Sequence, residues 1–344
     1  MGFKKLDFLQ RIKIYIPAWF RSVYKFISRK RSHFRRVCDQ YIEIKRLIPK
    51  LKRDYIHIIE KYNSEQKVVT KSTQTNYFVW VMWWQGEENM PDIIRINYIN
   101  LKKQLNGNHL ILITSENYDD YIQLPDYVLE KLKNGIISLT HLSDLIRVML
   151  LSKFGGLWLD STVYVVKPLP NKINFEYWTI KWELTYFQYF RFPIWVAFWQ
   201  LSSIKSKTIS QFMGIWYANS LNPIFTCLAE FWLEYWKNEN NKPYYWTTEV
   251  FLNVCMYDSM SEIKKMIDKV PNSNNYCFDL APMLNNTSSY KVLEKYFSTT
   301  EYFYFTWKSN YLSHIKSKTG RTLYGELKEN PYYLSELYYK NKLI

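Results

Sequence analysis

Two acids and a base stand close together near the middle of the chain, in Ser143-Asp144-Leu145-Ile146-Arg147 and Gly155-Gly156-Leu157-Trp158-Leu159-Asp160. Positions i and i+3 of a helix share a face, so Asp144 and Arg147 project the same way. Asp160 closes a short apolar run after a double glycine, the pattern of a buried strand with a carboxylate at its C-terminal end. Ligands of open α/β sheets bind outside the carboxyl ends of strands. A carboxylate there accepts hydrogen bonds from sugar or ribose hydroxyls and can hold a hard cation through oxygen, and that cation would neutralise a leaving diphosphate. Singly, Asp144 and Arg147 read more readily as a surface ion pair and Asp160 as a helix cap or turn residue. Their order along one helix, double-glycine and strand unit is what points to a site.

Other chemistries find no support. Cys38, Cys227, Cys255 and Cys277 are far apart and form no CxxC pair, which removes a disulfide framework and a zinc ribbon and leaves reduced thiols as the expectation. His33, His57, His109, His141 and His314 show neither HExxH nor His-x-His spacing, so a histidine metal site is not expected.

The elements that must position the acids alternate in type. Residues 77–84 form a continuous apolar, β-rich run before Gln85 and Gly86; Pro91 opens a helix to about Leu105; residues 110–114 form a second buried strand. A helix over 139–154 is stopped by Gly155 and Gly156, as a left-handed cap would stop it. Strands follow at 157–160 and 162–166, then near 178–182 and 194–199, with helices at about 222–236 and 248–256 and a late strand at 302–307. Strand, helix, strand with right-handed crossovers predicts an open α/β sheet with helices on its faces.

The 344 residues carry a net charge of +15, and it is uneven: residues 1–60 hold 16 Lys and Arg against 5 Asp and Glu, so +11 lies there. No stretch of this arm has the 18 or more apolar residues needed to span a bilayer, nor the features of a signal peptide. Trp19, Phe20, Tyr24, Phe26 and Ile27 interleave with Arg21, Lys25, Arg29, Lys30 and Arg31, a composition suited to an anionic membrane surface. A solvated basic helix packed on the body is the other reading, while nucleic-acid binding has only the charge in its favour. Helical spacing at 42–62 and a polar stretch at 63–76 divide the chain into a basic helical extension and linker, 1–76, and a main domain, 77–344.

The run THLSDLIRVMLLSKFGGLWLDSTVYVVKPL resembles the core of the capsular polysaccharide synthesis glycosyltransferases, relatives of the DxD sugar transferases that include the yeast mannosyltransferases and the clostridial glucosylating toxins. FVWVMWWQGEENMPDIIRINYINLKK and ILITSENYDDYI resemble the first strand, helix and second strand of that family. EVFLNVCMYDSMSEIKKMIDKVP, FTWK and TLYGELKEN continue the likeness more thinly, to about Asn330.

The resemblance implies a GT-A fold, a Rossmann-like mixed sheet flanked by helices. It also implies a nucleoside diphosphate sugar donor, a UDP-hexose in most of the group, and a polysaccharide or lipid-linked acceptor built at the inner, cytoplasmic face of a bacterial membrane. Trp83, Trp84 and Gln85 would line the base pocket, Asp144 and Arg147 would hold the donor sugar, and Asp160 matches the first acid of the DxD motif. The second acid position is Thr162. Either Asp160 holds Mn²⁺ or Mg²⁺ with a late C-terminal group, or Lys308 and nearby cations stabilise the diphosphate without metal. Glu249 aligns with a family acid on the acceptor side, and Trp182, Trp195 and Trp199 fall where such enzymes build an acceptor groove. Transfer with retention would need no enzymic base; inversion would make Glu249 the base. A GT-A-like membrane-surface protein without catalysis is the rival reading.

Overall fold

The computed structural model describes residues 31–64, 75–182, 210–243, 247–287, 290–314 and 320–342. The chain enters on a long helix, α1 (Arg31–Ser64), which continues through Pro49. Then come β1 (Phe78–Met82), α2 (Asp92–Gln104), β2 (His109–Ile113), α3 (Asp126–Lys133), α4 (Leu139–Phe154), β3 (Gly156–Leu159), β4 (Val163–Val165), β5 (Tyr177–Trp182) and β6 (Ser210–Ala218). The remainder is α5 (Pro223–Asn238), α6 (Thr247–Val250) with a π-helical turn Phe251–Met256, α7 (Ser261–Lys269), α8 (Tyr290–Phe297), β7 (Tyr302–Tyr304), α9 (Leu323–Glu329) and α10 (Tyr333–Lys342).

Five strands form one sheet in the order β2-β1-β3-β6-β5. β1 pairs in parallel with β2 and β3, whereas β6 runs antiparallel to both β3 and β5. This mixed sheet flanked by helices is the GT-A-like Rossmann arrangement that the sequence predicts. Both faces are covered, which explains why β1 reads as an unbroken apolar run. Trp80, Trp158 and Trp216 face one core layer with α3, α4, α5 and α1; Val79, Val81, Leu157, Leu159 and Ile215 face the other with α2, β4, β7, α9 and α10.

Helix α4 begins at Ser138, whose hydroxyl accepts the His141 N–H, and it ends at the double glycine for a reason other than the one expected. Gly155 and Gly156 do have positive φ, 67° and 95°, but Gly155 has ψ −155°, far from the left-handed helical region. What excludes a side chain is close backbone: a Cβ on Gly155 would lie 2.5 Å from the Ser220 nitrogen, and one on Gly156 2.4 Å from the Phe78 oxygen. The two glycines let α4 turn straight into the central strand β3, between β1 and β6.

Helix α1 starts eleven residues before the apolar spacing that predicted it. Its C-terminal half is part of the core: Leu47, Leu51, Tyr55, Ile58, Ile59 and Tyr62 are buried in the same layer as Trp158 and Trp216. Lys50, His57 and Lys61 reach Glu239, Glu234 and Glu230 at 2.5, 2.9 and 2.7 Å along α5. Residues 1–30, with the interleaved aromatics and cations, lie outside the described residues, as does the strand expected at 194–199. Among the described residues no helix is long and apolar enough to cross a membrane.

Candidate active site

The parallel register of β1 and β3 pairs Val79 with Leu157 and Trp80 with Trp158. Carried two residues further, it sets Asp160 beside the end of β1, where Trp83, Trp84 and Gln85 leave the sheet. Backbone bonds fix Asp160: its N–H donates to the Gly214 carbonyl at 2.8 Å, and its own carbonyl accepts the Val163 N–H at 2.8 Å. The Trp158 indole donates to Asp160 Oδ1 at 2.8 Å.

Arg147 is the hub. Its guanidinium lies over the Trp216 ring, 5.0 Å from the centroid, bonds to Asp144, and comes within 3.7 Å of Asp160 Oδ1. With only 8% of its side chain exposed and 20% of that of Asp144, this is a desolvated pair and not the surface pair that i,i+3 spacing alone allows. Burial lifts the Asp144 carboxyl to about 6; Arg147 pulls it down and the Asp160 charge pushes it up. Burial likewise lifts Glu249 to about 7, with the Asp144 charge adding to the rise and Arg147 opposing it. Asp144 and Glu249 therefore lie near one guanidinium in a poorly solvated space, and both hold their protons more tightly than in water.

The raised values carry a sign for stability. A carboxyl whose folded pKa exceeds its unfolded value of about 4.3 favours the fold fully below that pH, and the contribution is lost as pH rises through about 7. Glu249→Gln is therefore expected to match wild type in unfolding free energy from urea titration at pH 4 and to exceed it at pH 8, by on the order of 3 kcal/mol. A gap that does not widen with pH would place Glu249 in a solvated setting.

The main chain at the second motif position ties in the C-terminal segment. The Thr162 carbonyl accepts the Phe305 N–H at 2.7 Å, joining β4 to β7 and drawing Thr306, Trp307 and Lys308 to the motif. Trp307 meets Trp83 edge to face at 6.3 Å, and Lys308 Nζ lies 5.8 Å from the Trp307 ring centre. Trp83, Trp307, Lys308 and Asp160 are thus gathered around one end of the sheet. Trp84 turns to the opposite face and packs on Tyr118 at 5.2 Å. Gln85 is exposed, its carbonyl holding the Asn89 side chain at 2.7 Å. Trp182 closes β5, while Trp195 and Trp199 lie outside the described residues.

Trp158, Trp216 and Tyr304 escaped the sequence reading. Trp158 could have been found, since it stands two residues before Asp160 on the same strand and so on the same face. Trp216 and Tyr304, whose hydroxyl is pushed up by burial and by the Asp160 charge, come from distant strands and left no local signal.

For a divalent cation the donor chemistry is selective. Among the described residues no three His, Cys, Asp or Glu side chains come together as a metal cage. Asp160 offers one carboxylate, with Oδ1 already engaged by the Trp158 indole. That fits a cation held by one protein carboxylate together with substrate phosphate and water, the habit of Mg²⁺, and not a closed protein site.

The helix, double-glycine and strand unit, the acids around Arg147 and the C-terminal segment returning on Thr162 all lie within a matched region. The family model described as capsular polysaccharide synthesis protein covers residues 30–327. A stretch of 110 residues is 26% identical to the O-glycosyltransferase PaGT of Phomopsis amygdali, covering 29% of this chain and 27% of that protein. The match thus spans about a quarter of that relative's length. With the family match running from α1 through the residues that bear Asp144, Arg147 and Asp160 to α9, this chain belongs to the capsular polysaccharide synthesis protein family.

Proposed function

We propose that the protein is a glycosyltransferase that moves a hexose from a nucleoside diphosphate sugar, a UDP-sugar, to a hydroxyl of a nascent or lipid-linked surface polysaccharide, with retention of configuration. The observation that carries this reading is Arg147, braced on Trp216 between Asp144 and Asp160 at the carboxyl end of β3. Such a constellation presents fixed acceptors to sugar hydroxyls and costs little reorganisation during reaction.

In this reading Trp83 and Trp307 offer aromatic faces to the base, Asp144, Arg147 and Asp160 orient the sugar, and Lys308 meets the diphosphate as a point charge. A Mn²⁺ or Mg²⁺ ion on Asp160 would supply countercharge to the departing diphosphate. Retention fits a site whose acids are occupied with Arg147: the leaving phosphate takes the acceptor proton and no enzymic base is needed. Glu249, its carboxyl lifted to about 7 by burial, then serves the site as a hydrogen-bond donor below that pH. Residues 1–60 bring the site to an anionic membrane surface at the inner face of the cell membrane, where a lipid-linked acceptor is reached.

Titration calorimetry with UDP, UDP-glucose and UDP-galactose, with and without Mn²⁺, tests the donor assignment. Binding of at least one sugar nucleotide, tightened by Mn²⁺, is the expected result, and NMR of the product anomer then decides retention. Thr162 in the second acid position favours a second reading, a GT-A-like protein without catalysis, which binding without turnover would support.

A further inference from the structure

Helix α2 carries buried amides on one stripe, Asn97, Asn100 and Gln104, with 1%, 0% and 2% of their surface exposed. Buried amides destabilise a core unless they are bonded, and this stripe faces the backbone that follows β3. Asn97 Nδ2 donates to the Ser161 carbonyl at 3.0 Å, Asn100 Nδ2 to the Val165 carbonyl at 2.6 Å, and Gln104 Nε2 to Asn100 Oδ1 at 3.5 Å, while the Gln104 main-chain carbonyl accepts the Leu169 N–H at 2.8 Å.

Two of these amides differ in a way that separates packing from purpose. Asn100 is used at both ends, because its oxygen accepts from Ser335 Oγ at 2.9 Å. Asn97 is used at one end only: its buried Oδ1 has no partner, and neither has the buried Thr162 hydroxyl on the next residue after the peptide Asn97 holds. An unsatisfied buried amide oxygen costs about 1–3 kcal/mol, so fold stability alone does not explain an asparagine at this position. The peptide it grips is the centre of Asp160-Ser161-Thr162.

We propose that Asn97 is a positioning residue: by holding the Ser161 carbonyl it fixes the turn that aims Asp160 toward Arg147 and presents the Thr162 carbonyl to Phe305. It acts through that turn and need not touch substrate. The rate consequence rests on the glycosyl-transfer reading above; the structural consequence does not.

Asn97→Ala and the milder Asn97→Ser are to be compared with Asn100→Ala in the full chain. Amide hydrogen exchange of peptides spanning residues 158–163 should rise at least tenfold in both Asn97 variants and stay near wild type in Asn100→Ala. In the transfer assay kcat should fall about 10²-fold, the scale of a small misplacement of a reacting geometry, while affinity for UDP changes less than twofold. Unchanged exchange at 158–163 overturns the proposal whatever the activity. So does loss of folding in both Asn97 variants, which would assign the amide to stability. A wild type without turnover on any sugar nucleotide would sink the transfer reading, and the exchange measurement would still decide the role of Asn97.

Discussion

Asp160→Ala is expected to lower sugar transfer by about 10²–10³-fold, the usual loss when one preorganised charge or donor is removed from a polar site, and to leave the fold intact. The two halves of that expectation have separate causes. The fold survives because the bonds that tie residue 160 into the sheet are main-chain bonds to Gly214 and Val163, and the side chain is about a third exposed, at 32%. Function is lost because Arg147 would lose one of the acids beside it, and the Trp158 indole would lose its acceptor. Asp160→Asn separates charge from shape: its side-chain oxygen still accepts from Trp158, but it no longer offers a carboxylate to a cation or to Arg147. A single-turnover assay alongside circular dichroism should find both variants folded, with Asp160→Asn nearly as slow as Asp160→Ala. Full activity in Asp160→Ala would move the site away from the end of β3.

The parts of this site that were legible in the sequence are those encoded locally. Helix α4 has the expected bounds because its apolar spacing runs unbroken between a capping Ser138 and two glycines. The pairing of Asp144 with Arg147 follows from three-residue spacing. What spacing cannot give is the environment. Arg147 rests on Trp216, 69 positions away on an antiparallel strand, and that burial turns an ordinary ion pair into a desolvated one. Strand β6 itself escaped because Gly214 interrupts its apolar run and no turn signal announces it. The helix expected at 248–256 is real at its start but becomes a π turn over Phe251–Met256, a change of hydrogen-bond register that leaves no mark on apolar periodicity. Thr162 stands where the motif has its second acid; its main-chain carbonyl anchors Phe305 and with it the segment bearing Lys308, a bond that spacing does not reveal and that any residue there could make.

The basic N-terminal region should divide into two pieces of opposite behaviour. Removing residues 1–30 is expected to leave the thermal midpoint within a few degrees of wild type and to abolish sedimentation with vesicles rich in anionic lipid, since that piece holds the interleaved aromatics and cations. Removing residues 1–62 is expected to leave no cooperative unfolding transition at all. That cut takes away Leu51, Tyr55, Ile58 and Ile59, each no more than 2% exposed, and uncovers the face of α5 and the π turn on which they pack. Truncating one buried leucine or isoleucine costs about 2–5 kcal/mol, so losing several exceeds the 5–15 kcal/mol by which a domain is normally stable. The ion pairs from Lys50, His57 and Lys61 to α5 are partly exposed and contribute far less, at most about 1 kcal/mol each. Leu51→Asp isolates the core contribution without touching the chain's charge pattern at 1–30: it should unfold the protein while Lys61→Ala does not. A cooperative melt in the 1–62 deletion would mean that α1 is an appendage after all. Vesicle binding that survives loss of residues 1–30 would instead place the membrane-facing cations on α1 itself, on the side turned away from α5.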